Sequence, residues 1–153
     1  MSPPGDSVGG MDARVTFITL GVRDLAATRR FYVDGLGWEP AFEAPGEVMF
    51  VRVGPAVMLS LWDRAAFEAE IGATQTGPGI PPVALAHNMP DEAGVDRVIA
   101  DAAAAGAEIV APPARRVWGG YSGYFADPDA FRWEVAYNPG PLGVELMRDA
   151  GLA

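Results

Sequence analysis

Apolar and polar positions along the chain follow two periods, and the switches between them set out its elements. Val15 to Gly21 is apolar and β-branched and reads as a strand. Asp24 then stands where a side-chain oxygen caps the free amides of a helix. Leu25, Thr28, Tyr32 and Leu36, with Phe31 widening the face, recur at helical spacing from Leu25 to about Asp34, until Gly35 and Gly37 stop the run. Trp38 to Ala44, Val48 to Val53 and Ala56 to Trp62 are short strands separated by Pro45-Gly46 and Gly54-Pro55 turns. A second round begins with a strand at Val83 to Met89 and a cap at Asp91. Val95, Val98, Ile99, Ala102, Ala103 and Gly106 then trace one helical face. Strands follow at Glu108 to Ala111 (an extension to Val117 is left open), at Tyr121 to Ala126 and at Phe131 to Tyr137, with Asp127-Pro128-Asp129 turning the chain before the last.

The two rounds share one order: strand, helix, three strands. They predict an α+β fold of two βαβββ modules, with mixed, curved sheets. Each sheet uses one face for its helix and keeps one free, so pairing two modules, within or between chains, encloses a cavity. The boundaries expected are a disordered leader over 1–11, module 1 with a short helix over 12–71, a Gly/Pro/Thr-rich linker over 72–82, module 2 over 83–139, and a C-terminal helix or tail over 140–153.

Composition narrows the chemistry. The chain has 153 residues, enough for a sizeable core, and no apolar run approaches the ~18 to 20 residues of a membrane span. Its N-terminal stretch lacks the basic start and apolar middle of a secretory signal and there is no cysteine, so a soluble, cytoplasmic protein is expected. A net charge of −9, with basic doublets only at Arg29-Arg30 and Arg115-Arg116, argues against nucleic acid as a partner. All eleven basic residues are arginine, and His87 is the only histidine. Schiff-base lysine, thiol nucleophile and any serine-histidine pair without His87 are thereby removed, leaving carboxylates, tyrosines, hydroxyls or a bound ion.

Phe17-Ile-Thr-Leu-Gly-Val-Arg-Asp-Leu25, with Phe31-Tyr32 and Leu36-Gly37, resembles the opening of a vicinal oxygen chelate module. Tyr124-Phe-Ala-Asp-Pro-Asp129, with Trp133-Glu134, resembles its closing hairpin, and the likeness runs from about Arg14 to Pro139. This is the superfamily of glyoxalases, bleomycin-resistance proteins and extradiol dioxygenases. The resemblance implies the fold; it leaves the chemistry open, because the same architecture serves metalloenzymes and metal-free drug-binding proteins. In metal-bearing relatives the ligands stand on the first and last strand of a module. Carried over by motif, these positions are Phe17 and Ser60 in module 1 and Ala84 and Glu134 in module 2. Only Glu134 holds an ion well, whereas a catalytic divalent ion wants about three His or carboxylate ligands. No metal is therefore expected, with a divalent ion as the alternative.

Strand parity sets His87 with Val83 and Leu85 on the helix side, opposite Ala84, Ala86 and Asn88. A core or edge histidine is thus expected unless the register slips by one. Glu134, the one acid expected to face the cavity, would have a raised pKa and serve as general acid or base. The bland alternative is a relic of the fold paired with Arg132, which could instead hold an anionic ligand itself. Glu134 and Tyr124 are the candidate catalytic groups. Phe17, Met58, Ser60, Trp62, Ala84, Asn88, Trp118 and Arg132 are candidate ligand contacts, since such a floor suits a planar or apolar organic molecule with a few polar anchors. For any single aromatic, a plain core role competes. The run Trp118-Gly-Gly-Tyr-Ser-Gly-Tyr124 signals a close approach of backbone, ligand or partner, and without a following lysine and helix it is no phosphate loop.

The reading is a homodimeric small-molecule-binding protein without a catalytic metal. Turnover of lyase or isomerase type is left open. The alternatives are a divalent-metal-dependent lyase, isomerase or dioxygenase using Glu134, completed by His87 or a second subunit, and a structural module whose aromatics fill the cavity.

Overall fold

In the computed structural model, which describes residues 10–153, the chain forms two four-stranded mixed sheets flanked by helices. Most of the leader expected over 1–11 lies outside the described residues. Module 1 comprises β1 (Phe17–Val22), α1 (Leu25–Arg29), β2 (Pro40–Ala44), β3 (Val48–Gly54) and β4 (Val57–Asp63), with strand order β1-β4-β3-β2. After α2 (Arg64–Ile71) comes a stretch without helix or strand. Module 2 then comprises β5 (Ala84–Asn88), α3 (Glu92–Ala104), β6 (Glu108–Arg115), β7 (Tyr121–Ala126) and β8 (Arg132–Tyr137), in the order β5-β8-β7-β6. The first strand of each module runs parallel to the last, and the remaining pairs are antiparallel. The repeat anticipated from the two rounds of periodicity is therefore present at the level of sheet topology. A final helix, α4 (Pro141–Asp149), closes the chain. Among the described residues no helix is long and apolar enough to cross a membrane.

The caps form as their side chains dictate. The Asp24 carboxylate accepts from the Ala27 amide at 3.1 Å, and Asp91 from Gly94 at 2.7 Å. Asp63 caps α2 in the same way, through the Ala66 amide at 3.1 Å. Two helical expectations are corrected. The first helix is α-helical only to Arg29 and continues as a π-helix over Arg30–Gly35. This wider turn accompanies two adjacent buried aromatics, Phe31 and Tyr32, which meet edge to face at 4.9 Å. In α3, Val95, Ile99 and Ala102 are buried, but Ala103 is exposed: the buried face is narrower than its apolar pattern.

The modules meet through their helix-packed sides. Leu20, Val22, Met49, Val51, Leu59 and Leu61 of module 1 share one core with Val95, Ile99, Phe125, Trp133 and Val135 of module 2. Gly35 lies so close to Ala105 that a β-carbon there would sit 2.6 Å from the alanine methyl.

At the centre of this junction is a buried polar chain. Trp133 Nε1 donates to the Tyr32 hydroxyl at 2.9 Å, and that hydroxyl donates to Asp127 Oδ2 at 2.7 Å. Asp127 Oδ1 accepts from the Asp129 and Phe131 amides, each at 2.9 Å. The Arg23 amide and Nε reach Asp129 Oδ1 at 2.9 and 3.1 Å. Burial pushes the Asp127 carboxyl up, and its bonds from Tyr32 and the two amides pull it back. Burial, followed by the Asp127 charge, lifts Tyr32 well above the ordinary tyrosine value.

Removing the hydroxyl orphans a buried indole N–H and a carboxylate oxygen, so Tyr32→Phe is expected to lose about 2–4 kcal/mol in chemical denaturation at neutral pH. Losing the Tyr32 bond raises the folded pKa of Asp127 further and makes its ionised form more costly. The deficit should therefore shrink as pH falls through that pKa, leaving the indole contribution. A pH-independent deficit would show that Asp127 is not the partner that matters.

Candidate functional site

Opposite α1 and α3, each sheet has an outer face, and strand register states which side chains share it; α2 packs on one end of that face in module 1, against Gly21 and Trp62. In module 1, Phe17 pairs with Met58, Thr19 with Ser60 and Gly21 with Trp62, while Phe50 lies across from Ser60 and Phe42 across from Phe50. The face is aromatic. Phe17 and Phe50 meet edge to face at 5.2 Å, Phe42 and Phe50 tilt together at 5.4 Å, and Trp62 meets Phe67 of α2 at 5.9 Å. Phe17 and Phe42 remain about half exposed, 50% and 52%, which a finished core would not tolerate in two large rings side by side.

On the outer face of module 2, Ala84 lies beside Arg132, Ala86 beside Glu134 and Asn88 beside Ala136. Across β8, Tyr124 pairs with Glu134 and Ser122 with Ala136. Burial raises the Tyr124 pKa; the Glu134 carboxylate adds to the effect and Arg116 opposes it. The phenol is accordingly a hydroxyl donor at neutral pH. Arg132 donates to the Ala130 carbonyl at 3.2 Å, and no Glu134–Arg132 ion pair forms among the described residues. The ring of Trp118 lies across Gly120, where a β-carbon would sit 1.8 Å from it. The close approach signalled by the glycine run is thus made by the chain's own indole.

His87 pairs with Val135, on the helix-packed side with Leu85 and away from Glu134. The residue stays exposed on the edge strand, and partial desolvation of its ring lowers its pKa. It lines a cavity of about 710 Å³ between the modules, together with Ile18, Trp38, Leu59 and Trp133. Of the candidate contacts only Ala84 reaches this cavity. The helix-packed faces of the two sheets look toward each other across it, so the outer faces, with Phe17, Met58, Ser60 and Trp62 on one and Tyr124, Glu134, Arg132 and Asn88 on the other, look away from each other. One chain does not bring the two candidate sets together.

The family model described as the Glyoxalase/Bleomycin resistance protein/Dioxygenase superfamily matches residues 14–135. The chain belongs to this superfamily. Among solved structures, it is similar to a glyoxalase-related enzyme from Fulvimarina pelagi, with 37% identity, a TM-score of 0.75, and 83% of this chain and 89% of that one covered. A glyoxalase/bleomycin resistance protein/dioxygenase from Nocardioides matches at 27% identity and TM-score 0.72, covering 87% and 91%. Lactoylglutathione lyase from Agrobacterium tumefaciens matches at 25% identity and TM-score 0.63, covering 82% and 94%. A search of curated proteins finds no match.

The positions that the resemblance assigns to metal ligands, Phe17, Ser60, Ala84 and Glu134, offer one carboxylate, one hydroxyl and two side chains with no donor atom. A divalent ion wants about three His or carboxylate ligands, and the described residues contain no cluster of three or more His, Cys, Asp or Glu. The donor set does not fit a catalytic ion.

Four residues on these faces escaped the sequence reading. Phe42 and Phe50 could have been found by extending to β2 and β3 the parity applied to β4. Arg116 precedes the glycine run and Ser122 lies within it, but their pairing depends on how the chain turns at Gly119, which spacing alone does not give.

If Tyr124 and Glu134 are neighbours as the register places them, Glu134→Gln removes the anion that disfavours the phenolate. Tyr124 should then titrate at lower pH than in the wild type, read by NMR of the assigned ring. An unchanged titration would separate the two groups.

Proposed function

We propose that the protein binds a small organic, partly aromatic or apolar ligand between module 1 of one copy and module 2 of a second copy, as a cytoplasmic homodimer without a catalytic metal. The observation that carries this reading is the pair of outward sheet faces. One is floored by half-exposed aromatic rings; the other bears Tyr124 and Glu134 beside the small side chains Ala84 and Ala86, which leave room in front of them. A second copy that sets one face over the other converts two open surfaces into an enclosed pocket with apolar walls and a few polar anchors. Asn88 and Arg132 supply hydrogen bonds at its rim, Ser60 offers a hydroxyl on the floor among the rings, and Trp118 extends its aromatic edge. Cysteine-free composition supports a reducing compartment as readily as any other.

The pair Glu134 and Tyr124 defines the chemistry open to such a pocket. Glu134 can take a proton from a bound molecule while the Tyr124 hydroxyl donates to an oxygen gaining charge, the division of labour of an acid/base isomerase or lyase. With Glu134 merely accepting a hydrogen bond, the same pocket sequesters its ligand. The likeness to lactoylglutathione lyase is the one observation favouring a metal-dependent lyase, isomerase or dioxygenase. That reading needs donors which neither face supplies, and His87 points to the opposite side of its sheet from Glu134.

Two measurements on protein purified without chelator test the proposal. Light scattering should give the mass of two chains. Elemental analysis should find no stoichiometric ion, and Ni, Zn, Mn and Fe(II) should shift the melting temperature of wild type and Glu134→Ala equally. A monomer at micromolar concentration would remove the shared pocket; an ion bound by wild type and lost in Glu134→Ala would replace the metal-free reading with the metal-dependent one.

A further inference from the structure

Arg116 sits just beyond β6, and its guanidinium is fixed from two sides. Its Nε donates to the Ser122 hydroxyl at 3.0 Å and its Nη2 to the Ser122 carbonyl at 2.9 Å. Its carbon centre stands 5.8 Å from the centroid of the Tyr124 ring. Ser122 is itself buried, at 1% exposure, so the clamp is rigid on the protein side. Of the five N–H donors of an arginine, these two bonds leave the Nη1 pair and one Nη2 hydrogen free, a planar edge of the kind that matches a carboxylate bidentately. None of the ion pairs among the described residues uses Arg116. Holding a guanidinium in one orientation costs side-chain entropy, and in a chain of net charge −9 an acidic partner would be easy to supply. Here the orientation is maintained, and among the described residues no acidic partner meets it.

Its neighbours point the same way. Arg116 covers one side of the Tyr124 ring, and Tyr124 pairs in register with Glu134. Cation, phenol and carboxylate thus follow one another across the outer face of module 2.

We infer that Arg116, held by Ser122 and stacked on Tyr124, anchors the carboxylate of an organic acid whose body lies over Tyr124 and Glu134. The inference rests on the outer-face ligand reading above and narrows it to anionic ligands. It also orders the site: with the carboxylate on Arg116, the carbon next to it lies toward the Tyr124 and Glu134 side chains.

The test uses benzoate and its neutral isostere benzamide, titrated by NMR into the full-length protein with the Arg116 Nε–H and the Gly119 and Gly120 amides as reporters. Benzoate is expected to bind more tightly than benzamide. Arg116→Gln should weaken benzoate by about tenfold while leaving benzamide nearly unchanged, the size of one lost charge-assisted bond pair. Arg116→Lys, which keeps the charge without the fork, should fall between, and Arg115→Gln, which removes the neighbouring charge paired with Glu92, should keep the preference for benzoate. Amide dispersion of each variant separates lost binding from lost folding; if Arg116→Gln unfolds, Arg116→Lys and Ser122→Ala, which removes the Nε bond of the guanidinium and keeps its bond to the backbone carbonyl, carry the comparison. Equal binding of both probes, or a preference for benzoate that survives in Arg116→Gln, overturns the anchor and leaves the aromatic-ligand reading standing. Binding of neither probe overturns both.

Discussion

The Tyr32 hydroxyl sets the arrangement on which the rest of this molecule depends. It accepts from the Trp133 indole and donates to Asp127, so one oxygen of module 1 satisfies a buried donor and a buried acceptor of module 2. Buried polar groups tolerate little change in geometry, because a bond stretched or misaligned leaves a desolvated group without its partner. Around it, Phe31 against Phe125 at 6.1 Å and Trp38 against Trp133 at 5.7 Å add apolar contact without directional demand. The aromatic contacts bring the modules together; the hydroxyl fixes their rotation. Once that rotation is fixed with the helix-packed sides inward, the direction in which every outer side chain points has been decided.

Much of this was legible in the sequence because strand parity and helix capping are local. Asp24 and Asp91 cap the helices that their positions announced, and Tyr121–Ala126 is a strand at both bounds expected. The sides of Ala84, Ala86 and His87 follow from a period of two. The π turn at Arg30–Gly35 was not legible, since its widening serves Phe31 and Tyr32 against partners about a hundred residues away in the chain. Neither was the exposure of Ala103, because alanine fits either environment.

The candidate site was legible only one residue at a time. Parity places Met58, Ser60 and Trp62 together, and Tyr124 with Glu134, but which two faces share a cavity is a property of the module junction. The cavity found inside one chain is lined by His87, Trp38 and Trp133 rather than by those residues. Arg116 stayed hidden for a similar reason. Its bonds to Ser122 close a turn through Gly119, whose φ of 98° is glycine's to adopt, and as one half of a basic doublet it looked like any surface charge.

Because successive residues of a strand point to opposite sides, β4 and β8 each carry two interleaved messages. Leu59, Leu61, Trp133 and Val135 address the core, and Met58, Trp62, Arg132 and Glu134 address whatever lies outside. Mutations in the second set leave the first undisturbed, so a lineage can rewrite what the surface recognises at little cost to folding. A scaffold built this way can exchange the groups on its outer faces, the positions of Phe17, Ser60 and Ala84 among them, and still be inherited as an intact protein.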